Sequence, residues 1–315
     1  MCNTSFFGKD FVHSSFILRI FFKNRILKFL KMITRRNFIS NSGKLLAFTG
    51  IGNSLAFSQR PHIIDFSADY TFKLGIAGYT FIHFDIDHSI KMMNKVNVHF
   101  LCIKDFHLPY NSSKEEISAF KEKLKQAGIM GYAVGPIGDE ISITEAFDYA
   151  RRVGVDLITG IPAVKDLPEI NKRVKEFNIR YAIHNHGPDE KNYTDATAVY
   201  NLIKDLDPRV GICLDIGHNM RFGSDPVSDL GKYAHRIFDI HLKDVTAPSK
   251  KGQSCELGRG IINIPAFVRM VQSIGYSGCC SLEYEKDMED PLAGIAESVG
   301  YFRGVCDGLK QKAKF

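Results

Sequence analysis

From Thr71 onward, short apolar runs alternate with longer stretches in which apolar residues return every three or four positions. The short runs predict strands over Lys73–Gly78, Val98–Ile103, Ile129–Val134, Val155–Thr159, Arg180–His184, Val210–Asp215, Arg236–Leu242 and Gly278–Glu283. Helical spacing is clearest in Lys114–Ala127, through Ile117, Phe120 and Leu124. It recurs over Ile143–Val153, Leu167–Phe177, Thr194–Lys204, Pro226–Ala234 and Ile264–Ile274, with a last helix from Leu292 to about Leu309. Eight strand-then-helix units in roughly 245 residues fit an α/β protein built as a single (β/α)8 TIM barrel, which needs about 250. The competing doubly wound sheet would carry a glycine-rich turn after its first strand. Gly75-Ile76-Ala77-Gly78 lacks that spacing. No Pro/Gly/Ser-rich linker interrupts the series, so residues 71–315 are expected to form one barrel domain.

The first 70 residues read differently. Thr34-Arg35-Arg36-Asn37-Phe38-Ile39-Ser40, a weakly apolar stretch from Leu45 to Phe57 and the small-residue end Ala56-Phe57-Ser58 resemble a twin-arginine export signal. The resemblance implies residues 32–58 as the signal, 59–70 as a mature N-terminal tail and a periplasmic destination. Met32 stands directly before the motif, so residues 1–31 are read as an upstream extension outside the fold. The run Phe16 to Leu30 carries too many charges for a membrane helix, and no later stretch approaches about 18 uninterrupted apolar residues. The mature protein is therefore expected to have no membrane span.

Charge separates the two parts as well. Residues 1–58 hold nine Lys or Arg against one acid, leaving 32 basic and 34 acidic side chains in the rest. A nearly neutral body lacks the clustered cations that nucleic acid requires, so no nucleic-acid partner is expected. The seven cysteines form no CxxC pair and read as small core residues.

Chemistry in a barrel sits where strands end and loops begin, and polar residues collect there. The second strand runs into Lys104-Asp105-Phe106-His107 and the fifth into His184-Asn185-His186-Gly187-Pro188-Asp189-Glu190. The sixth ends Asp215-Ile216-Gly217-His218, the seventh His241-Leu242-Lys243-Asp244 and the eighth Glu283-Tyr284-Glu285. Period-two geometry puts His184 with His186, Cys213 with Asp215, Asp239 with His241 and Lys243, and Ser281 with Glu283 and Glu285, each set on one face. A single strand-end His or Asp is more often a loop cap. Five strand ends with the same character point to a mouth where carboxylates and histidines converge, an arrangement that a divalent cation holds economically.

These segments, together with Leu257-Gly258-Arg259-Gly260 and Gly278-Cys279-Cys280-Ser281-Leu282-Glu283, resemble the xylose-isomerase-like barrel superfamily of sugar phosphate isomerases and epimerases. That group includes ketose 3-epimerases, hydroxypyruvate isomerase, inosose dehydratase and DNA-repair endonucleases. The resemblance runs from about residue 72 to 308 and implies a metal held by Asp215, His241, Glu283 and an acid after the fifth strand. Glu190 is the expected fourth ligand, with His184 and Asp189 as alternatives. A mostly oxygen site with one imidazole suits Mn2+ or Mg2+, with Co2+ and Zn2+ as further candidates.

The implied activity is a divalent-metal-dependent sugar isomerase or epimerase, abstracting a proton next to a carbonyl through a metal-stabilised enediolate. Glu190 and Glu283 are expected as the acid/base pair. Lys104, His107, His184, His186, His218, Arg221 and Lys243 are expected to bind a small carbohydrate substrate. A 3-keto-glycoside or inosose-type lyase is the alternative from the same intermediate, and a non-catalytic exported sugar-binding barrel is a second. By analogy with the superfamily the protein is expected to form a homo-oligomer.

Overall fold

The computed structural model describes residues 70–312; the expected signal and most of the tail lie outside the described residues. Eight parallel strands close into a barrel: β1 (Lys73–Ala77), β2 (Phe100–Ile103), β3 (Met130–Ile137), β4 (Leu157–Gly160), β5 (Arg180–His184), β6 (Val210–Asp215), β7 (Ile237–Leu242) and β10 (Cys279–Leu282). Around the ring the order is β1-β10-β7-β6-β5-β4-β3-β2. Between β7 and β10 a small antiparallel hairpin, β8 (Asp244–Val245) and β9 (Ser254–Cys255), stands outside the ring.

The expected helices are present as α2 (Lys114–Gln126), α3 (Ile143–Val153), α4 (Leu167–Phe177), α5 (Ala196–Ile203), α7 (Pro226–Tyr233), α8 (Ile264–Ser273) and α9 (Leu292–Lys312). Two more were not singled out by the pattern, α1 (Ile86–Lys95) and α6 (Ile216–Phe222). Both begin on an aspartate that accepts a backbone N–H three residues on, Asp85 from His88 and Asp215 from His218. Such a cap satisfies a donor the first turn would otherwise leave free. Ser113 with Glu116, and Ser142 with Glu145, do the same reciprocally at the starts of α2 and α3.

The main core lies between strands and helices, where Ile76, Leu101, Val134, Ile158, Ile183, Leu214 and Ile240 meet helix residues such as Phe120, Phe147 and Phe267. Inside the ring lies a second, smaller apolar cluster. Cys102, Ala133, Leu157, Ala182 and Cys213 form it, with Tyr132 and Phe238 packed against them. The described cysteines are free thiols, and all but the partly exposed Cys255 are buried.

Asp244 fixes the long connection after β7. Its buried carboxylate accepts the backbone N–H groups of Val245, Gly258, Gly260 and Ile262 at 2.9–3.1 Å. The Leu257–Gly260 segment is thereby wrapped around one anion. A Cβ on Gly260 would stand 2.1 Å from Asp244 Oδ1, so only glycine fits.

Candidate metal centre

The last inward positions of β5, β6 and β7, and the first residue beyond β10, carry His184, Asp215, His241 and Glu283. Parallel register sets Asp215 beside His241, and His184 beside Cys213 two positions below Asp215. All four side chains are buried. His184 Nε2 lies 3.2 Å from His241 Nδ1, 3.7 Å from Asp215 Oδ2 and 3.8 Å from Glu283 Oε2. His241 Nδ1 lies 3.2 Å from Glu283 Oε2. One donor atom from each residue falls within 4.8 Å of the others.

Donors bound at about 2.0–2.2 Å around one centre stand roughly 2.8–3.6 Å apart, so the cluster is close to the size of a first-row divalent cation. Asp215 Oδ2 is buried and makes no well-formed hydrogen bond, its neighbours being the Lys243 ammonium at 3.2 Å and His184 Nε2 at 3.7 Å, which suits a ligand atom. The residues fit a metal.

Lys243 enters the same space. Its Nζ lies 2.9 Å from Glu283, 3.0 Å from Glu285, 3.2 Å from Asp215 and 3.2 Å from His218 Nε2. Gly217 makes room for it, since a Cβ there would sit 2.7–2.9 Å from the Lys243 stem.

The field in the mouth is strong. Burial raises the Asp215 and Glu283 carboxyls, but Lys243 and the neighbouring imidazoles outweigh it and hold both below the ordinary carboxylate range. Burial lowers His184, yet Asp215 and Glu283 overcome it and raise the imidazole to about 9. Burial likewise disfavours the Lys243 ammonium, and Asp215, Glu283 and Glu285 more than restore it. A proton on His184 and a metal ion answer to the same negative field and compete for one lone pair. Burial, then Lys243, pushes His218 far down, so its imidazole is neutral. Glu285 is raised, chiefly by burial.

The expected residues divide into three groups. Asp215, His241, Glu283, His184 and Lys243 come together at the centre, and His218 joins them through Lys243. A rim follows: His186 packs against His218 with ring centroids 4.3 Å apart and planes tilted by 34°, and Arg221 reaches His218 Nδ1 at 3.3 Å and Asp189 at 2.8 Å. Lys250 adds a second cation at 3.3 Å from Asp189.

The third group stays apart. Glu190 is outside the cluster, and His184 stands where the fourth ligand was expected. Beyond β5 the chain turns through a single 3-10 turn, Gly187–Asp189, and the Glu190 carboxylate accepts the Asn192 backbone N–H at 2.9 Å. Lys104 bonds the Pro136 carbonyl and Asp105. His107 is shared between Ser89 and the Phe84 carbonyl and lowered by burial to about 4. Those two residues tie loops together.

Glu285 was not among the expected site residues, although its place two positions beyond Glu283 signals the same face. Asp239 lies one layer below His241 and is fully buried, its carboxyl raised by burial to about 6. Tyr132 bonds it at 3.0 Å.

The xylose isomerase-like TIM barrel model matches residues 77–305. The chain is 27% identical over 143 residues to the rhizopine catabolism protein MocC of Rhizobium meliloti, covering 39% of this chain and 42% of that one. It is 25% identical over 223 residues to an inosose dehydratase of Geobacillus thermodenitrificans, covering 63% and 72%. The chain thus spans less than half of the rhizopine protein and nearly three quarters of the dehydratase. Among solved structures, an uncharacterized Parabacteroides distasonis protein superposes with a TM-score of 0.59 at 25% identity, covering 75% of this chain and 99% of that one. With the match running through every barrel strand but the start of the first, the chain belongs to the xylose isomerase-like TIM barrel family.

Proposed function

We propose that the protein is a divalent-metal-dependent enzyme that removes a proton beside the carbonyl of a keto-sugar or keto-polyol, and that elimination of a β-substituent follows. The observation that carries this reading is the sealed His184, Asp215, His241, Glu283 cluster with the Lys243 ammonium against it. A divalent cation held by those four residues would act as a Lewis acid on the substrate carbonyl oxygen. Two imidazoles beside two carboxylates favour Zn2+, Co2+ or Mn2+ over Mg2+, which prefers oxygen donors.

Glu283 remains ionised in the field of Lys243 and takes the proton from the carbon next to the carbonyl. Lys243 donates to the departing oxygen and is reprotonated from the Glu283 side, 2.9 Å away. The C–H pair becomes the new C=C bond, the C–O bond to the substituent breaks, and the substituent leaves as an alcohol or water. Neutral His218, 3.2 Å from Lys243, keeps the ammonium oriented. His186 and Arg221 at the rim would meet substrate hydroxyls.

Elimination is favoured over 3-epimerisation by the position of Glu190. Inverting a carbon calls for acid/base groups on both faces, and the second carboxylate expected for that role points to Asn192. Elimination needs a base and an adjacent acid, which Glu283 and Lys243 supply. The inosose dehydratases among the relatives agree with this choice. The Arg35-Arg36 motif supports export and hence a role in scavenging extracellular carbohydrate.

The test is an NMR time course in D2O with metal-loaded protein, offered inososes, 3-keto-glucosides and free ketoses. Release of the substituent with a new enone signal, lost on Glu283→Gln, is the expected result. Deuterium entering an intact skeleton would instead establish isomerase or epimerase chemistry. No exchange and no release on any of them would contradict the reading.

A further inference from the structure

Asp239 is a buried acid with no part in the chemistry above. Its carboxylate lies in the barrel interior, one layer beneath the metal-site residues, among Cys213, Tyr132 and Ser281. An uncompensated charge there is costly, and Tyr132, which bonds Oδ1 at 3.1 Å and Oδ2 at 3.0 Å, would serve a neutral acceptor equally well. What singles out the carboxylate is His241. With Nδ1 in the four-residue cluster, the far ring nitrogen Nε2 points down toward Asp239 Oδ2 at 3.7 Å and has no hydrogen-bonding partner.

An imidazole that offers Nδ1 to a metal must carry its proton on Nε2. We propose that Asp239 is a positioning residue that fixes His241 in this tautomer, its acceptor-only Oδ2 rewarding a proton on Nε2 and leaving the Nδ1 lone pair free for the cation. The inference rests on the metal reading of the cluster. Acceptors behind ligating histidines act this way generally, and their loss weakens metal binding about 10–100-fold. At 3.7 Å the pair is longer than a hydrogen bond, and Asp239 acts on the Nε2 proton as a nearby buried anion.

The environment also predicts what an amide would do. The backbone N–H of Ile240 donates to Oδ1 at 3.1 Å. In Asp239→Asn that donor keeps the amide oxygen at the Oδ1 position, which turns the NH2 toward His241 Nε2. A donor facing Nε2 selects the opposite tautomer, with the proton on Nδ1, where it blocks the metal.

Two measurements decide the matter. Full-length wild type and Asp239→Asn are stripped with chelator and titrated with Zn2+ and with Mn2+ in competition with a chromophoric chelator. The variant is expected to bind each 10–100-fold more weakly while its metal-free thermal midpoint is unchanged or higher, a combination that a purely structural role would not give. A folded variant that binds within twofold of wild type would overturn the proposal. The ring 15N shifts of His241 in the wild type, assigned by their loss in His241→Gln, should show Nε2 protonated; a proton on Nδ1 would overturn it even if Asp239→Asn failed to fold. Absence of metal uptake by the wild type would count against the metal reading, whereas wild-type uptake with an unaffected variant would count against Asp239 alone.

Discussion

Lys243 Nζ lies 2.9 Å from Glu283 Oε2, with both side chains almost sealed from solvent. Asp215 and Glu285 share the same ammonium, so one cation offsets three carboxylates. Removing it leaves only the His184 imidazolium to offset these buried anions, and an undercompensated buried charge typically costs about 3–5 kcal/mol. Lys243→Met should therefore be destabilised in the metal-free form, and a divalent cation should restore more thermal stability to it than to wild type. Turnover should fall by about 100-fold or more from loss of the acid. Scanning fluorimetry with and without metal reads the first effect, and equal metal-induced shifts in the two proteins would argue against it.

The pH dependence follows from His184. Its folded-state pKa, about 9, lies above the ordinary imidazole value, so its contribution to metal-free stability is complete below about pH 6.5 and is lost as pH rises through 9. The loss is at most about 1.4 kcal/mol per pH unit for one proton. Metal binding displaces that proton, so apparent affinity should climb with pH, up to about tenfold per unit, and level off near 9. Calorimetric titration between pH 6 and 9.5 checks the slope.

Gly217 gives a sharper steric test. A methyl group there would come within 2.7 Å of the Lys243 side chain. Gly217 stands in the first turn of α6, two residues past the Asp215 cap, where Gly→Ala carries no helix-propensity penalty. Gly217→Ala should nevertheless lose turnover, about tenfold or more, with its circular dichroism intact.

Asp244 anchors the loop after β7 through four backbone N–H groups. Asp244→Ala strands those donors, and bonds to a charged acceptor contribute about 1.5–3 kcal/mol each when buried. Urea unfolding should show a loss of at least about 3 kcal/mol. A change below about 1 kcal/mol would mean that water replaces the carboxylate.

The barrel and most of its mouth were legible in the chain because strand side chains alternate strictly. Once Val210–Asp215 and Ile237–Leu242 are strands, Asp215 and His241 must share the inner face. The same rule carries just past the end of β10 to Glu283. It fails for Glu190, which lies six residues beyond the end of β5, where the chain has already turned through Gly187–Asp189 and period two no longer applies. His184, the last residue of β5, is in register with Cys213 and faces inward. Helix α1 was hidden because its buried face includes Ser89 among Ile90, Met92 and Met93. Alternation also put Asp239 on the face of His241, but not its partner, because Tyr132 comes from β3, 107 residues earlier.

The ligand set itself admits the most direct measurement. Chelator-stripped wild type, His184→Ala and Glu190→Ala are each dialysed against one divalent cation, and bound metal is counted by atomic emission. The account predicts one equivalent in wild type and in Glu190→Ala, and none in His184→Ala. Full occupancy in His184→Ala together with loss in Glu190→Ala would contradict it.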